Sequence, residues 1–342
     1  MQITRGAFRP LGIGAGIGLG VIGALALVCG LRPADGERTM SDTGQAGIER
    51  AFESPTEPAR VVVDGVALFP GRRRDEPEPI DHPVFESAPR PSAALADDDW
   101  VVGIRHGDTV RAYPLWVLAR SEIVNDRFGH DPICVTYCPL SGSVVAFLAR
   151  IGSRDLAFGN AGALYECNLV MFDRGTGSLW YQLRGRAIHG PLAGEALEVI
   201  PAQLVRWATW RERNPGGGVL VADGRAGRFF RVSEGGQEAR ATHEEPDAPV
   251  SRTDARWPTR TRMVGFQRTD GSAVCLPRDW VEALPAGRHR VPEGAGLWLE
   301  TEGDGYFRAF GADGIEMAWI PADWFAWYAA FPSGFVFPNP GK

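Results

Sequence analysis

A spaced pattern of two tryptophans, a proline and a valine occurs twice in this 342-residue chain, at identical intervals. The first copy begins at Trp207 and ends at Val219, and the second begins at Trp324 and ends at Val336. A second matching segment lies upstream of each copy. It begins with Val, Gly and an apolar residue, continues through a turn, and ends in an apolar run closed by proline. These segments are 102–114 and 264–277. Two matches in the same order predict an internal duplication and therefore two related lobes.

Most of the chain between these matches consists of short apolar runs separated by turn residues. One example is a β-branched run that ends at Cys138, a turn over 139–143, and a second apolar run from Val144 to Phe147. Helical spacing is confined to the short tryptophan-containing segments. The sequence therefore predicts a β-rich α+β fold, built from two pseudo-repeated lobes of antiparallel strands with short Trp-containing helices. We assign the first lobe to 80–221, a connection to 222–256, and a second, shorter lobe without a counterpart of the Cys138 hairpin to 257–342.

The amino-terminal segment predicts the cellular location. Arg5 and Arg9 precede an uncharged run over 11–31, and about 20 such residues can cross a bilayer as a helix. We therefore expect residues 1–31 to be a signal or membrane anchor, residues 32–79 to be a flexible tether, and the body to be exported, facing the periplasm or the outside. Lipidation of Cys29 is the lesser alternative, because Val28 stands where such sites carry a small residue. The net charge of −6 argues against a nucleic-acid partner.

Cys138 is the main candidate for chemistry, because a thiol at the end of a strand meets the backbone N–H groups of the following turn. Such groups can lower a thiol pKa and make the thiol reactive. Strand alternation places Cys134, Thr136 and Cys138 on one face, with Cys134 and Cys138 ~13 Å apart and beyond disulfide reach. The alternative is that Cys138 is a small buried hydrophobe.

Several strings of the chain form a recognisable set. They are Tyr137-Cys-Pro-Leu, Asn168-Leu-Val-Met-Phe-Asp173, Ser178-Leu-Trp180-x-Gln182, Glu122-Ile-Val-Asn-Asp126 and Trp324-Phe-Ala-Trp327. Together they resemble the pattern of domain-of-unknown-function family 3179, which is found in exported bacterial proteins, and the resemblance runs from about residue 80 to 337. Members usually have Tyr-Cys-Pro-Leu-Cys-Gly, and this Cys-x-x-Cys implies thiol redox or soft-metal chemistry.

This chain departs from that pattern at two positions. Ser141 stands where the second cysteine is expected, and Ser121 stands where members often have histidine. A serine hydroxyl can donate a hydrogen bond to a Cys138 thiolate, but it cannot close a disulfide or bind a soft metal well. Three possibilities remain: monothiol chemistry, a resolving thiol elsewhere at Cys167 or Cys134, or a degenerate site kept for structure.

The candidate site residues follow from these patterns. Cys138, Ser141 and Glu122 are the catalytic candidates, with Glu122 acting as an acid, a base or a cap. A copper or zinc ion held by Cys138 and Cys167 is one cofactor that these residues allow, and in an exported protein the same two cysteines could form a disulfide. Binding roles are assigned to Tyr137, Asn168, Asp173, Trp180 and Gln182, although Asp173 most simply supports a turn and Trp180 the core.

Three functions are compatible with this set. The first is a membrane-tethered exported protein with a monothiol redox or partial soft-metal site, a thiol-dependent oxidoreductase if it is an enzyme; it requires a depressed Cys138 pKa. The second is a non-catalytic binding or scaffold module of the cell envelope, whose partner is an envelope protein or a small molecule. The third is hydrolysis through Ser141 or Ser143, for which the sequence has neither a nucleophile-elbow frame nor an assignable His/Asp pair.

Overall fold

A computed structural model describes residues 61–87, 95–223, 227–228, 244–268, 271–291 and 296–337. The predicted anchor over 1–31 lies outside these residues, as do residues 32–60 of the predicted tether. Within the described part of the chain, no helix is long and apolar enough to cross a bilayer. Residues 61–79, also assigned to the tether, contain short strands.

Strands dominate the described residues, as the β-rich α+β prediction requires. Up to residue 228 the strands are β1 Val62–Val63, β2 Val66–Ala67, β3 Phe69–Pro70, β4 Pro83–Ser87, β5 Trp100–His106, β6 Thr109–Pro114, β7 Ile123–Phe128, β8 Asp131–Cys138, β9 Ser143–Leu148, β10 Arg150–Ile151, β11 Arg154–Asp155, β12 Phe158–Tyr165, β13 Asn168–Asp173, β14 Leu179–Tyr181, β15 Arg186–His189, β16 Glu198–Val199, β17 Ala202–Arg206, β18 Gly218–Asp223 and β19 Gly227–Arg228. The later strands are β20 Arg262–Gln267, β21 Ala273–Pro277, β22 Gly287–Arg290, β23 Trp298–Thr301, β24 Phe307–Phe310, β25 Glu316–Met317, β26 Ile320–Asp323 and β27 Phe335–Val336. The helices among the described residues are α1 Leu115–Ser121, α2 Trp207–Arg213, α3 Arg278–Glu282 and α4 Trp324–Ala330, and a 3₁₀ turn spans Gln182–Arg184.

The internal duplication is confirmed by sheet topology. One sheet contains the strand order β17-β5-β6-β18, and another has β26-β20-β21-β27. In both sheets the first three strands are antiparallel and the last one is parallel to its neighbour. Helices α1 and α3 follow the second strand of each repeat, and α2 and α4 connect the third strand to the fourth. The two lobes are therefore copies of one unit.

The repeated tryptophans anchor each copy against a glycine of its own sheet. A Cβ atom added to Gly103 would lie 2.2 Å from Trp210 Cε3, and one added to Gly265 would lie 2.1 Å from Trp327 Cζ3. Only glycine leaves room for the indole at these positions. Trp210 and Trp327 are both buried, so the repeated tryptophans are equivalent core anchors of the two lobes.

What distinguishes the lobes is the chain inserted between the second and third strands of each repeat. In the first lobe the insertion includes the sheet β16-β9-β8-β7 and strands β12 to β15, to whose edge β3 adds. In the second lobe it includes the meander β22-β23-β24-β25, which the sequence did not predict. The first insertion contains the predicted Cys138 hairpin, in which Cys138 of β8 pairs with Ser143 of β9.

Strand β8 separates two hydrophobic clusters. Cys134 and Cys138 belong to the cluster that contains Cys167 and Trp324. Ile133, Val135 and Tyr137 belong to the other. The predicted alternation along this strand is therefore confirmed, and it directs the Cys138 thiol toward the β12–β13 hairpin and the second lobe.

Candidate functional site

The turn that follows β8 brings Ser141 close to the Cys138 thiol. Gly142 has a φ of 63°, a left-handed conformation that glycine adopts without steric cost. The Ser141 hydroxyl and the backbone N–H groups of Ser141 and Leu169 each act to lower the pKa of this thiol. Ser141, predicted as a partner of the thiol, is therefore placed against it.

The expectation of a depressed pKa for Cys138 is wrong. The side chain is 2% exposed, and its burial raises the pKa of the thiol, with a further increase from the nearby Glu122 carboxylate. The donors at Ser141 and Leu169 lower the pKa but do not outweigh burial. Cys138 is therefore a protonated thiol at neutral pH in this structure.

Cys167 lies in a two-residue turn beside Cys138. Glu166 and Cys167, which connect β12 to β13, both have a φ of 54°, and two successive positive φ values are typical of a type I′ hairpin turn. Residues with side chains are strained in that conformation. Leu169, whose N–H acts on the pKa of Cys138, follows Cys167 by two residues, and Cys138 in turn acts on the pKa of Cys167, so the turn lies close to the thiol.

Both cysteines are reduced in the structure. Burial, with a smaller contribution from Cys138, raises the pKa of Cys167 to about 12. Among the described residues, Cys134, Cys138, Cys167 and Cys275 are all free thiols. Burial also raises the pKa of Cys134 and Cys275, so no described cysteine has a stabilised thiolate.

A buried polar network packs against the Cys138 turn. The Asn168 amide nitrogen lies 2.9 Å from Ser141 Oγ, Ser143 Oγ and Gln182 Oε1, so its two hydrogens are shared among three acceptors. Gln182 Nε2 donates to Thr136 Oγ1 at 2.9 Å. All five side chains have zero exposure. Asn168 and Gln182, two predicted binding residues, thus lie beside the thiol, but their polar atoms are occupied within the fold.

The other predicted binding residues do not join this cluster. Asp173 accepts hydrogen bonds from the Thr176 hydroxyl at 2.7 Å and from Trp180 Nε1 at 3.1 Å, and so holds the turn between β13 and β14. Tyr137 projects to the opposite face of β8, into the second hydrophobic cluster. These three residues act in the fold, as the simpler interpretation of Asp173 and Trp180 held.

Glu122 combines a capping role with proximity to the thiol. It ends α1 in the left-handed conformation, with a φ of 58°, and its N–H donates to Leu118 O. Its carboxylate Oε2 accepts a 2.7 Å hydrogen bond from Asn160 Nδ2, while its charge acts on Cys138. The structure therefore gives Glu122 an oriented carboxylate on the thiol side of the fold.

The second lobe completes the Cys138 turn, which the sequence did not predict. The Asp323 N–H donates to Ser141 O at 2.8 Å. Arg260 Nη1 donates to Leu140 O at 2.6 Å and to Asp323 Oδ2 at 3.1 Å. These residues are distant in sequence from the turn, and no local pattern marks them.

Residues 244–251, which we name the strap, cover the Cys167 turn. The Ala248 N–H acts to lower the pKa of Cys167, and the Ser251 N–H donates to Glu166 Oε2 at 2.7 Å. At the other end, Arg260 Nη2 donates to Asp247 Oδ2 at 2.9 Å. The strap is thus bound to the Cys167 turn directly and to the Cys138 turn through Arg260. A cavity of about 590 Å³ is lined by Ala248 together with Phe69, Trp324 and Phe325.

The donor set does not match a predicted zinc or copper site. Among the described residues no group of three or more His, Cys, Asp or Glu side chains could hold a metal ion, whereas zinc sites use three or four protein ligands. Cys138 and Cys167 supply two. Hydrolysis through Ser141 or Ser143 would need a His/Asp pair beside the serine. The pair formed by His106 and Asp131 at 2.8 Å lies instead at the start of β8, ~23 Å along the strand from Cys138.

Comparison with known families gives one match. The model of DUF3179, described as a protein of unknown function, matches residues 75–295, well over half of the chain. No curated protein and no solved structure matches. The matched segment includes both thiols and the strap.

Proposed function

The chain belongs to the DUF3179 family, and from that premise we propose that it is an exported, membrane-tethered thiol–disulfide redox protein whose working pair is Cys138 and Cys167. The observation that supports this most directly is the Glu166–Cys167 turn. Two left-handed residues with side chains hold a cysteine beside the thiol of the family motif, and strain of this kind is concentrated at functional sites. Cys167 here takes the part of the second motif cysteine that Ser141 replaces.

The proposed reaction oxidises the pair and reduces a disulfide of the substrate. Cys138 attacks one sulfur of R–S–S–R, its proton passes to the leaving sulfur, and a mixed disulfide and one R–SH form. Cys167 then attacks the Cys138 sulfur, which releases the second R–SH and leaves a Cys138–Cys167 disulfide. Because burial raises both pKa values, the thiolates are not stabilised, and such a couple is a reductant.

Access to the pair requires movement of the strap. Cys138 is 2% exposed and Cys167 is fully buried, so a disulfide cannot reach either sulfur while the strap covers the Cys167 turn. The strap is attached by a small number of hydrogen bonds, from Ser251 to Glu166 and from Arg260 to Asp247, and segments with few contacts open locally at low cost. The substrate is a disulfide of a small molecule or of an envelope protein.

Export and tethering are supported by the sequence alone. The positive flank at Arg5 and Arg9 and the uncharged run over 11–31 place the remaining chain on the far side of the membrane, where disulfides form and persist.

A second candidate is favoured by the burial of the site. The raised Cys138 pKa and the internally bonded Asn168 network are what a degenerate site kept for structure would show. In that case the chain is a non-catalytic binding module of the envelope, and Cys138→Ser leaves capture of its partner unchanged.

Mass spectrometry separates the two candidates. The reduced full-length protein is incubated with oxidised glutathione and then alkylated in denaturant. The redox proposal expects a Cys138–Cys167 linkage in the wild type, a glutathione adduct at Cys138 in Cys167→Ser, and alkylated Cys134 and Cys275 in both. Absence of the linkage and of the adduct, at a glutathione potential that oxidises the urea-unfolded chain, would overturn it in favour of the binding module.

A further inference from the structure

Tyr181 has a buried hydroxyl group without a partner. The residue is 2% exposed, and within the described part of the chain its Oη has no hydrogen-bond partner. Buried polar side-chain atoms are nearly always bonded, so an exception of this kind requires an explanation, and a role toward a ligand is one.

Strand register directs Tyr181 toward the thiol pair. Asn168, whose amide reaches Ser141, and Val170 are two residues apart in β13 and share a face. Val170 pairs with Tyr181, and Asn168 pairs with Tyr165. Antiparallel partners project to the same side of a sheet, and the two tyrosine rings pack edge to face at 5.0 Å. Tyr181 therefore lies on the face that meets the Cys138 turn.

The environment keeps this hydroxyl protonated. Burial raises the pKa of Tyr181 well above its usual value, and the charges of Glu166, Tyr165 and Cys138 raise it further. At any pH at which the thiols react, Tyr181 is therefore a neutral O–H donor. It can donate a hydrogen bond to an incoming group without transferring its proton.

We propose that Tyr181 is a catalytic residue that donates a hydrogen bond to the leaving sulfur of an aliphatic disulfide substrate. This inference rests on the thiol–disulfide exchange proposed above. In that step the Cys138 S–H bond and the substrate S–S bond break, a new S–S bond forms, and the Cys138 proton ends on the leaving sulfur. Negative charge that develops on that sulfur away from water is costly, and a fixed O–H donor stabilises it.

The substrate class follows from the pKa of the leaving thiol, which sets how readily it leaves without a hydrogen-bond donor. Aromatic thiols of low pKa leave readily without a donor, whereas aliphatic thiols of higher pKa leave slowly. The Tyr181 hydrogen bond therefore matters most for aliphatic disulfides, such as those formed by cysteine in peptides and small thiols.

The test compares leaving groups in Tyr181→Phe and in the matched control Tyr165→Phe, whose hydroxyl lies 3.5 Å from Val63 O. Both are made in the Cys167→Ser background, so that only the first exchange is measured. With oxidised glutathione, Tyr181→Phe should form the Cys138 adduct about tenfold more slowly. With an aromatic disulfide that has an acidic leaving thiol, the change should stay within about twofold. Tyr165→Phe should react as the parent does.

Equal slowing with both disulfides, or no slowing with either, would overturn the role of Tyr181. Failure of the redox proposal itself looks different, because the parent protein would then react with neither disulfide. Thermal unfolding gives an independent readout: since the hydroxyl has no partner, Tyr181→Phe should unfold at the parent's temperature or above it. A clear drop would reveal a structural partner and would also overturn the proposal.

Discussion

The backbone N–H of Asp323 donates a 2.8 Å hydrogen bond to the carbonyl oxygen of Ser141, so the second lobe closes the turn that holds Cys138. Asp323 ends β26 immediately before Trp324, and the corresponding position of the first lobe, before Trp207, is Arg206. The two copies thus use the same strand end for different purposes. In the second copy it supports the thiol site of the first.

The pH dependence of stability should report the buried carboxyl group of Asp323. Burial raises the pKa of Asp323 to about 6, although Arg260 lowers it. The folded chain therefore keeps a proton on Asp323 that the unfolded chain has lost, and its contribution to stability is present below about pH 4 and is lost as the pH rises through about 6. Between pH 4 and 7 the free energy of unfolding of the wild type should fall by up to about 3 kcal/mol relative to Asp323→Asn. Urea unfolding at several pH values measures this, and equal slopes for the two proteins would contradict it. Asp313→Asn, at an exposed position, is the control.

The glycine–tryptophan contacts should make both lobes intolerant of a single methyl group. A Cβ atom at Gly265 would lie 2.1 Å from the Trp327 ring, and one at Gly103 would lie 2.2 Å from that of Trp210. Overpacking of this kind should lower the free energy of unfolding by about 2–4 kcal/mol in Gly103→Ala and in Gly265→Ala. Gly216→Ala, where no atom lies within 4 Å of the added Cβ, should change it by less than about 0.5 kcal/mol. Denaturant titration compares the three variants, and an unchanged midpoint for Gly265→Ala would refute the argument.

The features that the sequence predicts are those encoded by local spacing. The tryptophan pattern, and the matching segment that precedes it in each copy, predict the duplicated sheets, because a duplication leaves the same intervals in both copies. Strand alternation predicts the face on which Cys138 lies. The contacts of Arg260, Asp323 and Ala248 join residues that are far apart in the chain, and no spacing encodes them. The prediction of a lowered Cys138 pKa is wrong for the same reason. The turn that supplies donors is local, whereas the burial that outweighs them depends on the whole fold.

Removal of Asn168 should expose the cost of its buried network. In Asn168→Ala the hydroxyls of Ser141 and Ser143 and the amide oxygen of Gln182 lose a donor that now lies 2.9 Å away. Leaving buried polar groups unsatisfied should lower the free energy of unfolding by about 2–4 kcal/mol. A double-mutant cycle with Ser143→Ala should show a coupling of about 0.5–3 kcal/mol, since the two residues are in contact. The distant Gly216→Ala serves as the control partner, and additive losses in the Ser143 cycle would contradict the network.

The alkylation rate of Cys138 should rise with pH and respond to Ser141. Because burial raises the pKa of Cys138, its thiolate is scarcer at neutral pH than that of an unperturbed cysteine, and the rate should increase beyond pH 9. Ser141→Ala removes the hydroxyl that lowers this pKa, so the rate profile should move to higher pH. Iodoacetamide labelling followed by mass spectrometry measures the profile. Cys275, whose burial raises its pKa further, should stay slower than Cys138 throughout, and a shift to lower pH in Ser141→Ala would sink the assignment.

Opening of the strap should control the reactivity of Cys167. Ser251 donates to the Glu166 carboxylate from both its N–H and its hydroxyl, and a hydrogen bond to a charged acceptor stabilises the bonded state by about 1.5 kcal/mol or more. Ser251→Ala keeps the N–H contact and loses the other, so the open state should become about tenfold more populated and Cys167 should be alkylated about tenfold faster. Thr253→Ala, in the adjoining chain, should leave the rate unchanged. If labelling of Cys275 rises in parallel, the variant has loosened the whole fold; if Cys167 does not respond, the strap does not limit access. An increase in alkylation rate confined to Cys167 and Cys138 would show that the strap covers both thiols. This is expected because Arg260 joins the strap to the Cys138 turn.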